Sequence, residues 1–268
     1  MIRAELLKMT TTKAPKIAAA VGILGVAATQ LASGWLLPAI SHMDPDLQDS
    51  VAEMATSTAD QQLAAMNVLG GGSLSSGSVS IGLVAVLLLG ALIATSDFRY
   101  GGIIGAALAS PRRGRILGAK TAATAVAMAT LGIGYALVQG LLVAVAPSTI
   151  GAGGLSAGWW DIADVLGRGV LALIPLGVLG LSAGMVIRSQ SATFLVLIGA
   201  AVADVTLGAI LAVIPATSSW ASYTPLALVS TATGPSGGAG SALALGILTM
   251  MALAAASVAW VTLRRRDL

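Results

Sequence analysis

Six stretches of this chain are each apolar for about the 20 residues that an α-helix needs to cross the hydrocarbon core of a bilayer: roughly 17–40, 79–96, 121–146, 166–187, 192–213 and 241–262. Inside a bilayer the backbone amides and carbonyls have no water to bond, so each run must satisfy them internally as a helix. An outer-membrane barrel would show short alternating segments instead, and the sequence lacks that pattern. Charged residues make up only 9% of the 268, against about a quarter in soluble domains. The expected fold class is all-α, a polytopic membrane protein with six transmembrane helices in one domain spanning residues 1–268.

The first run follows Arg3, Lys8, Lys13 and Lys16 and contains small residues near Leu31-Ala32-Ser33, as a signal peptide would. It is longer than the usual apolar core of such a peptide, about 7 to 15 residues, so it is expected to stay as a span. The chain has no cysteine, which excludes disulfides, thiolate metal sites and cysteine nucleophiles.

With the N-terminus inside, six spans return the C-terminus to the same side. The inner segments then hold thirteen of the fourteen Lys and Arg residues, and only Arg168 falls at an outer end. Asp44, Asp46, Asp49, Glu53, Asp60, Asp161 and Asp164 fall outside. The formal net charge of +3 therefore records membrane orientation, with some attraction to anionic lipid headgroups, and not a nucleic-acid surface.

Residues 1–16 put Ile2, Leu6, Met9 and Lys13 on one helical face and Arg3, Glu5, Lys8 and Thr12 largely elsewhere, which suits a short interfacial helix ended near Pro15. A frayed basic tail that merely orients the first span is the blander reading. In the first outer segment Asp44 is a candidate N-cap with Pro45 behind it, and Gly70-Gly71-Gly72 a stop. His42 beside Asp44 and Asp46 does not make a defined metal coordination sphere. The last outer segment carries Pro215, Pro225 and Pro235, Trp220, Tyr223 and the apolar run Leu226 to Val229. It fits either a re-entrant dip or an ordinary interfacial loop.

Five of the fourteen basic residues cluster between Asp97 and Lys120. Gly114 to Thr121 superficially resembles a phosphate-binding loop, but it has three residues between the glycines where four are needed, and Ala119 separates Gly118 from Lys120. Two readings remain for the segment. The charges set topology and touch lipid, or Ile103, Ile104, Ala107 and Leu108 form the apolar stripe of a short helix, stopped before Pro111, on which a soluble partner docks.

These residues resemble those of ABC exporter permeases of the second class (type V exporter-like). Such permeases have six spans, an N-terminal elbow helix, and after span two a loop with an acid, Arg/Tyr, Gly, a small apolar helix, Pro-Arg-Arg and a Lys opening span three. Here those are Asp97, Arg99, Tyr100, Gly101, Pro111, Arg112, Arg113 and Lys120. Glu5, Leu6 and Lys8 match the elbow, and Arg265-Arg266-Asp267 a common ending, so the likeness spans the chain. It departs at Gly102, where such loops usually carry Thr.

The resemblance implies a membrane permease subunit of an ATP-driven exporter in a bacterial plasma membrane, multi-pass, with both termini cytoplasmic. Its cytoplasmic coupling helix between spans two and three would seat in a separate ATPase subunit, with Ile103, Ile104, Leu108, Arg112, Arg113 and Arg115 as the coupling residues. It further implies an ABC ATPase dimer and a second permease subunit as partners, with lipid around them and no nucleic acid. ATP and Mg would be bound by the ATPase, no cofactor by this chain, and this chain would itself be no enzyme.

Rival readings are an ion-coupled secondary transporter and a non-transporting membrane anchor or immunity protein. The former should show internal repeats and several midplane ionisable groups, whereas only Asp204 lies well inside a span. Three roles are open to Asp204: a pair with Arg168, a structural hydrogen bond to a neighbouring helix, or a place in the cargo path. Gly180-xxx-Gly184 can bring two helices close, and Pro175 can bend span four.

Overall fold

The computed structural model describes residues 2–36, 58–69, 80–99, 101–102, 113–149 and 155–265, and among them there is helix and no strand. Ten α-helices follow in order: α1 Ile2–Thr11, α2 Lys13–Leu31, α3 Ala59–Ala65, α4 Ile81–Arg99, α5 Arg113–Thr149, α6 Trp159–Ile187, α7 Gln190–Val213, α8 Ser218–Ala221, α9 Pro225–Thr233 and α10 Ala239–Arg265. A π-helical turn, Ala32–Leu36, extends α2. Six of these helices, α2, α4, α5, α6, α7 and α10, are long and apolar enough to cross a membrane. The fold is that of a helical multi-pass membrane protein.

Helices α4 and α6 form the centre. Gly90 and Gly177 meet across them, and a Cβ at Gly90 would stand 2.1 Å from the Gly177 carbonyl oxygen. A Cβ at Gly180 would stand equally close to the Leu87 carbonyl oxygen, and one at Gly184 would press on Ala94. The Gly180-xxx-Gly184 pair thus does what its spacing allows: it lets two backbones touch where lipid provides no hydrophobic drive for helix association. Around this pair α5 and α10 pack on α6, and α2 packs on α4 and α5. Val26 and Gly22 of α2 are buried there, so the first apolar run is a member of the bundle. In contrast, α7 leaves Leu195, Val196, Val202, Leu207 and Ile210 exposed.

The helices outrun the apolar stretches. α5 begins at Arg113 and α6 at Trp159, each several residues before the expected span, because the flanking residues continue a helix whether or not they can enter hydrocarbon. The expected break near Pro15 falls at Thr12, whose backbone is extended, and Pro15 sits in the first turn of α2, where a missing amide is tolerated. The short helix α3 is capped by Thr58 with Gln61 in a capping box, and Asp44, Pro45 and His42 lie outside the described residues.

Candidate functional site

Two polar constructions stand out in this apolar bundle. The first is built by α1, α4 and α5. Asp97 lies near the end of α4, Lys120 two turns into α5, and Glu5 and Lys8 are three residues apart on α1. Lys120 is fully buried, its ammonium on Asp97 and 3.2 Å from Glu5 Oε2. Lys8 contacts the other oxygen of Asp97. Two carboxylates and two ammoniums therefore close a formally neutral cluster, which is the condition for burying charge at all. Burial and the nearby Lys120 ammonium push the Lys8 amine below its ordinary pKa, and the Glu5 carboxylate opposes them. The contact with Asp97 acts in the same sense as Glu5.

This corrects the reading of α1. Its inward face carries Glu5 and Lys8 together with Leu6 and Met9, while Ile2 and Leu7 are exposed. The physical reason is that Asp97 and Lys120, at the ends of two spans, need counter-charges more than α1 needs a uniformly apolar face. Just past α4, Gly101 takes a left-handed backbone (φ 68°). At Gly102 a Cβ would lie 3.0 Å from Asp97 Oδ1. Glycine at this position thus leaves room beside the cluster.

The cluster brackets the basic segment, with Asp97 before it and Lys120 after it. Of the six residues expected to couple, Ile103, Ile104, Leu108 and Arg112 lie outside the described residues. Arg113 opens α5, and Arg115 is exposed on its first turn. Residues 114–121 are helical throughout.

The second construction surrounds α9. Leu228, Val229, Ala232 and Thr233 of this helix are buried against α10, α6 and α7, so residues 214–238 fold back alongside the spans. Pro225 occupies its first turn and has no amide to satisfy, and Thr224 provides no side-chain cap. The cap comes from another helix: Asp204 Oδ2 of α7 accepts the Leu226 amide at 2.8 Å. At the other end Arg168 of α6 donates to the Ala232 carbonyl at 2.9 Å and the Gly234 carbonyl at 3.0 Å. Its Nε donates to Asp164 Oδ2 at 2.8 Å. An anion at the N-terminus and a cation at the C-terminus both favour the helix dipole. Asp204 and Arg168 thus do not pair. Asp204 takes the structural hydrogen bond, and Arg168 takes Asp164, its neighbour one turn away.

Sequence reasoning gave Arg168 no capping role, since the carbonyls of Ala232 and Gly234 leave no mark in side-chain chemistry. No protein-family model matches the chain, and no curated protein matches it.

Proposed function

We propose that this chain is the permease subunit of an ATP-driven ABC exporter of the second class, in a bacterial plasma membrane with both termini cytoplasmic. The observation that carries the reading is the cluster of Glu5, Lys8, Asp97 and Lys120. On this reading α1 is the elbow helix, and residues 101–112 include the coupling helix. A push on that segment would reach α4 through Asp97, α5 through Lys120 and α1 through Glu5 and Lys8. Ion pairs buried where that segment joins α4 and α5 suit a part that must transmit force without fraying, because separating them exposes unpaired charge to a poorly solvated setting.

Ile103, Ile104 and Leu108 supply the apolar contact to the ATPase, and Arg112, Arg113 and Arg115 orient it as rim charges. ATP and Mg are bound by that partner, and cargo passes beside a second permease subunit as the ATPases close. An anchor or immunity protein would keep the bundle without the partner, and an ion-coupled transporter would work without it. The test is to purify the tagged chain in mild detergent from its own membranes. An ATP-hydrolysing subunit that remains in fixed ratio and is lost from Ile104→Asp fits the proposal. A chain that purifies without one, and whose cargo movement stops with an ionophore rather than with ATP depletion, contradicts it.

A further inference from the structure

Two cavities meet at Asp204. One, of about 480 Å³, lies between α4, α6, α7 and α10 and is walled by side chains such as Leu87, Leu179, Val186, Leu197, Met251 and Val258. The other, of about 430 Å³, lies between α4, α7 and α9 and includes Asn67, Ser80, Thr224, Ser230 and Thr233. Leu83, Asp204, Leu226 and Val229 border both. The almost wholly apolar chamber thus adjoins one that carries several hydroxyls, and the Asp204 carboxylate lines both.

The hydroxyls of the second chamber are biased toward acceptors. Thr224, Ser230 and Thr233 each have one hydroxyl proton, and each commits it to a backbone carbonyl, at 3.3, 2.9 and 2.9 Å. What they can offer a guest is lone pairs. Asp204 gives one oxygen to the Leu226 amide, and among the described residues no Lys, Arg or His forms an ion pair with it. A partly exposed carboxylate inside a span, beside hydroxyl acceptors, calls for a donor-rich cation.

We propose that these adjoining cavities bind a single-chain amphiphile with a primary-amine headgroup. The alkyl chain lies in the apolar chamber, and the ammonium donates to Asp204 and to the hydroxyl oxygen of Thr224, which stands with it at the N-terminal end of α9. A fatty acid of the same length would set its carboxylate against Asp204 and be rejected. The inference concerns binding alone and stands apart from any coupling to an ATPase.

The test uses the full chain in nanodiscs of phosphatidylcholine, without any ATPase, and two probes carrying a mid-chain diazirine: hexadecylamine and palmitic acid. Mass spectrometry of the cross-linked peptides should place the amine on residues 179–187 and 251–258 at least tenfold above the acid. Asp204→Asn keeps an oxygen for the Leu226 amide and should bring the two probes within about threefold of each other. Ala201→Trp should block the apolar chamber and abolish labelling by the amine. Equal labelling of the wild-type chain by both probes overturns the proposal. So does labelling confined to the outward residues Leu195 and Leu207, or a second copy of the chain cross-linked into the cavity. If a variant fails to fold, the wild-type comparison of amine and acid still decides.

Discussion

Asp204 and Arg168 hold opposite ends of the same nine-residue helix, Asp204 accepting the Leu226 amide and Arg168 donating to the Ala232 and Gly234 carbonyls. Asp204 lies nine residues before the end of α7 and Arg168 nine after the start of α6. At 1.5 Å per residue each is about 14 Å from the nearer end of its helix. Helix termini carry orphan amides and carbonyls, and these two side chains partner some of them at either end of α9. Two singular charges in an apolar chain are thereby explained as the terminal partners of α9.

Removing either partner should loosen α9. Asp204→Ala deletes one charge-assisted hydrogen bond to this helix end and Arg168→Ala deletes two, each worth about 1.5–3 kcal/mol. Amide exchange across Leu226 to Thr233 is expected to quicken in both, and Asp204→Asn, which keeps the acceptor, should stay near wild type. Unchanged exchange in the alanine variants would remove the capping account.

The charged cluster predicts an ordered pair of losses. Lys120 is fully buried between two carboxylates, so Lys120→Met leaves Glu5 and Asp97 facing the single ammonium of Lys8 and should cost about 3–5 kcal/mol. Lys8 is about one-third exposed, and its loss leaves the Lys120–Asp97 contact intact, so Lys8→Met should cost on the order of 1 kcal/mol. Thermal unfolding in detergent ranks them, and the reverse order would contradict the geometry.

Close approach of α4 and α6 makes Gly90 and Gly180 intolerant even of alanine, since a Cβ at either would stand 2.1 Å from a backbone oxygen that cannot swing away. Forcing the backbones apart should cost about 1–3 kcal/mol or more for each. Gly199→Ala, with nothing within 4 Å, serves as the control and should match or exceed wild type. Yield of folded, monodisperse protein distinguishes the three.

The spans were legible because apolar length is a local property, and so was the anomaly of Asp204, a lone acid in span five. The helix ends were not, because Arg113 to Lys120 favour helix irrespective of the bilayer. Neither was the inward turn of Glu5 and Lys8, whose partners lie about 90 to 115 positions away in sequence. A signal did exist: Asp97 and Lys120 each stand at the edge of an apolar run, in a chain where charge is scarce. Arg168 was read only against side chains, so its backbone partners were missed.

The orientation read from basic charge gives its own prediction. The chain has no cysteine, so Ser57→Cys and Ser110→Cys, both in segments outside the described residues, can be labelled singly. An impermeant thiol reagent should reach Ser57→Cys from outside and Ser110→Cys only from inside. Same-side labelling would overturn the six-span topology.

The central claim is that residues 101–112 receive force from an ATPase, and ATP hydrolysis by the purified complex tests it most directly. With wild-type chain present, the ATPase is expected to hydrolyse ATP at a rate that Ile104→Asp lowers at least tenfold, because the new carboxylate must be desolvated in the contact. Ile104→Leu should keep the wild-type rate, and all three chains should show equal thermal stability. A complex carrying Ile104→Asp that assembles and hydrolyses ATP as the wild type does would contradict the account.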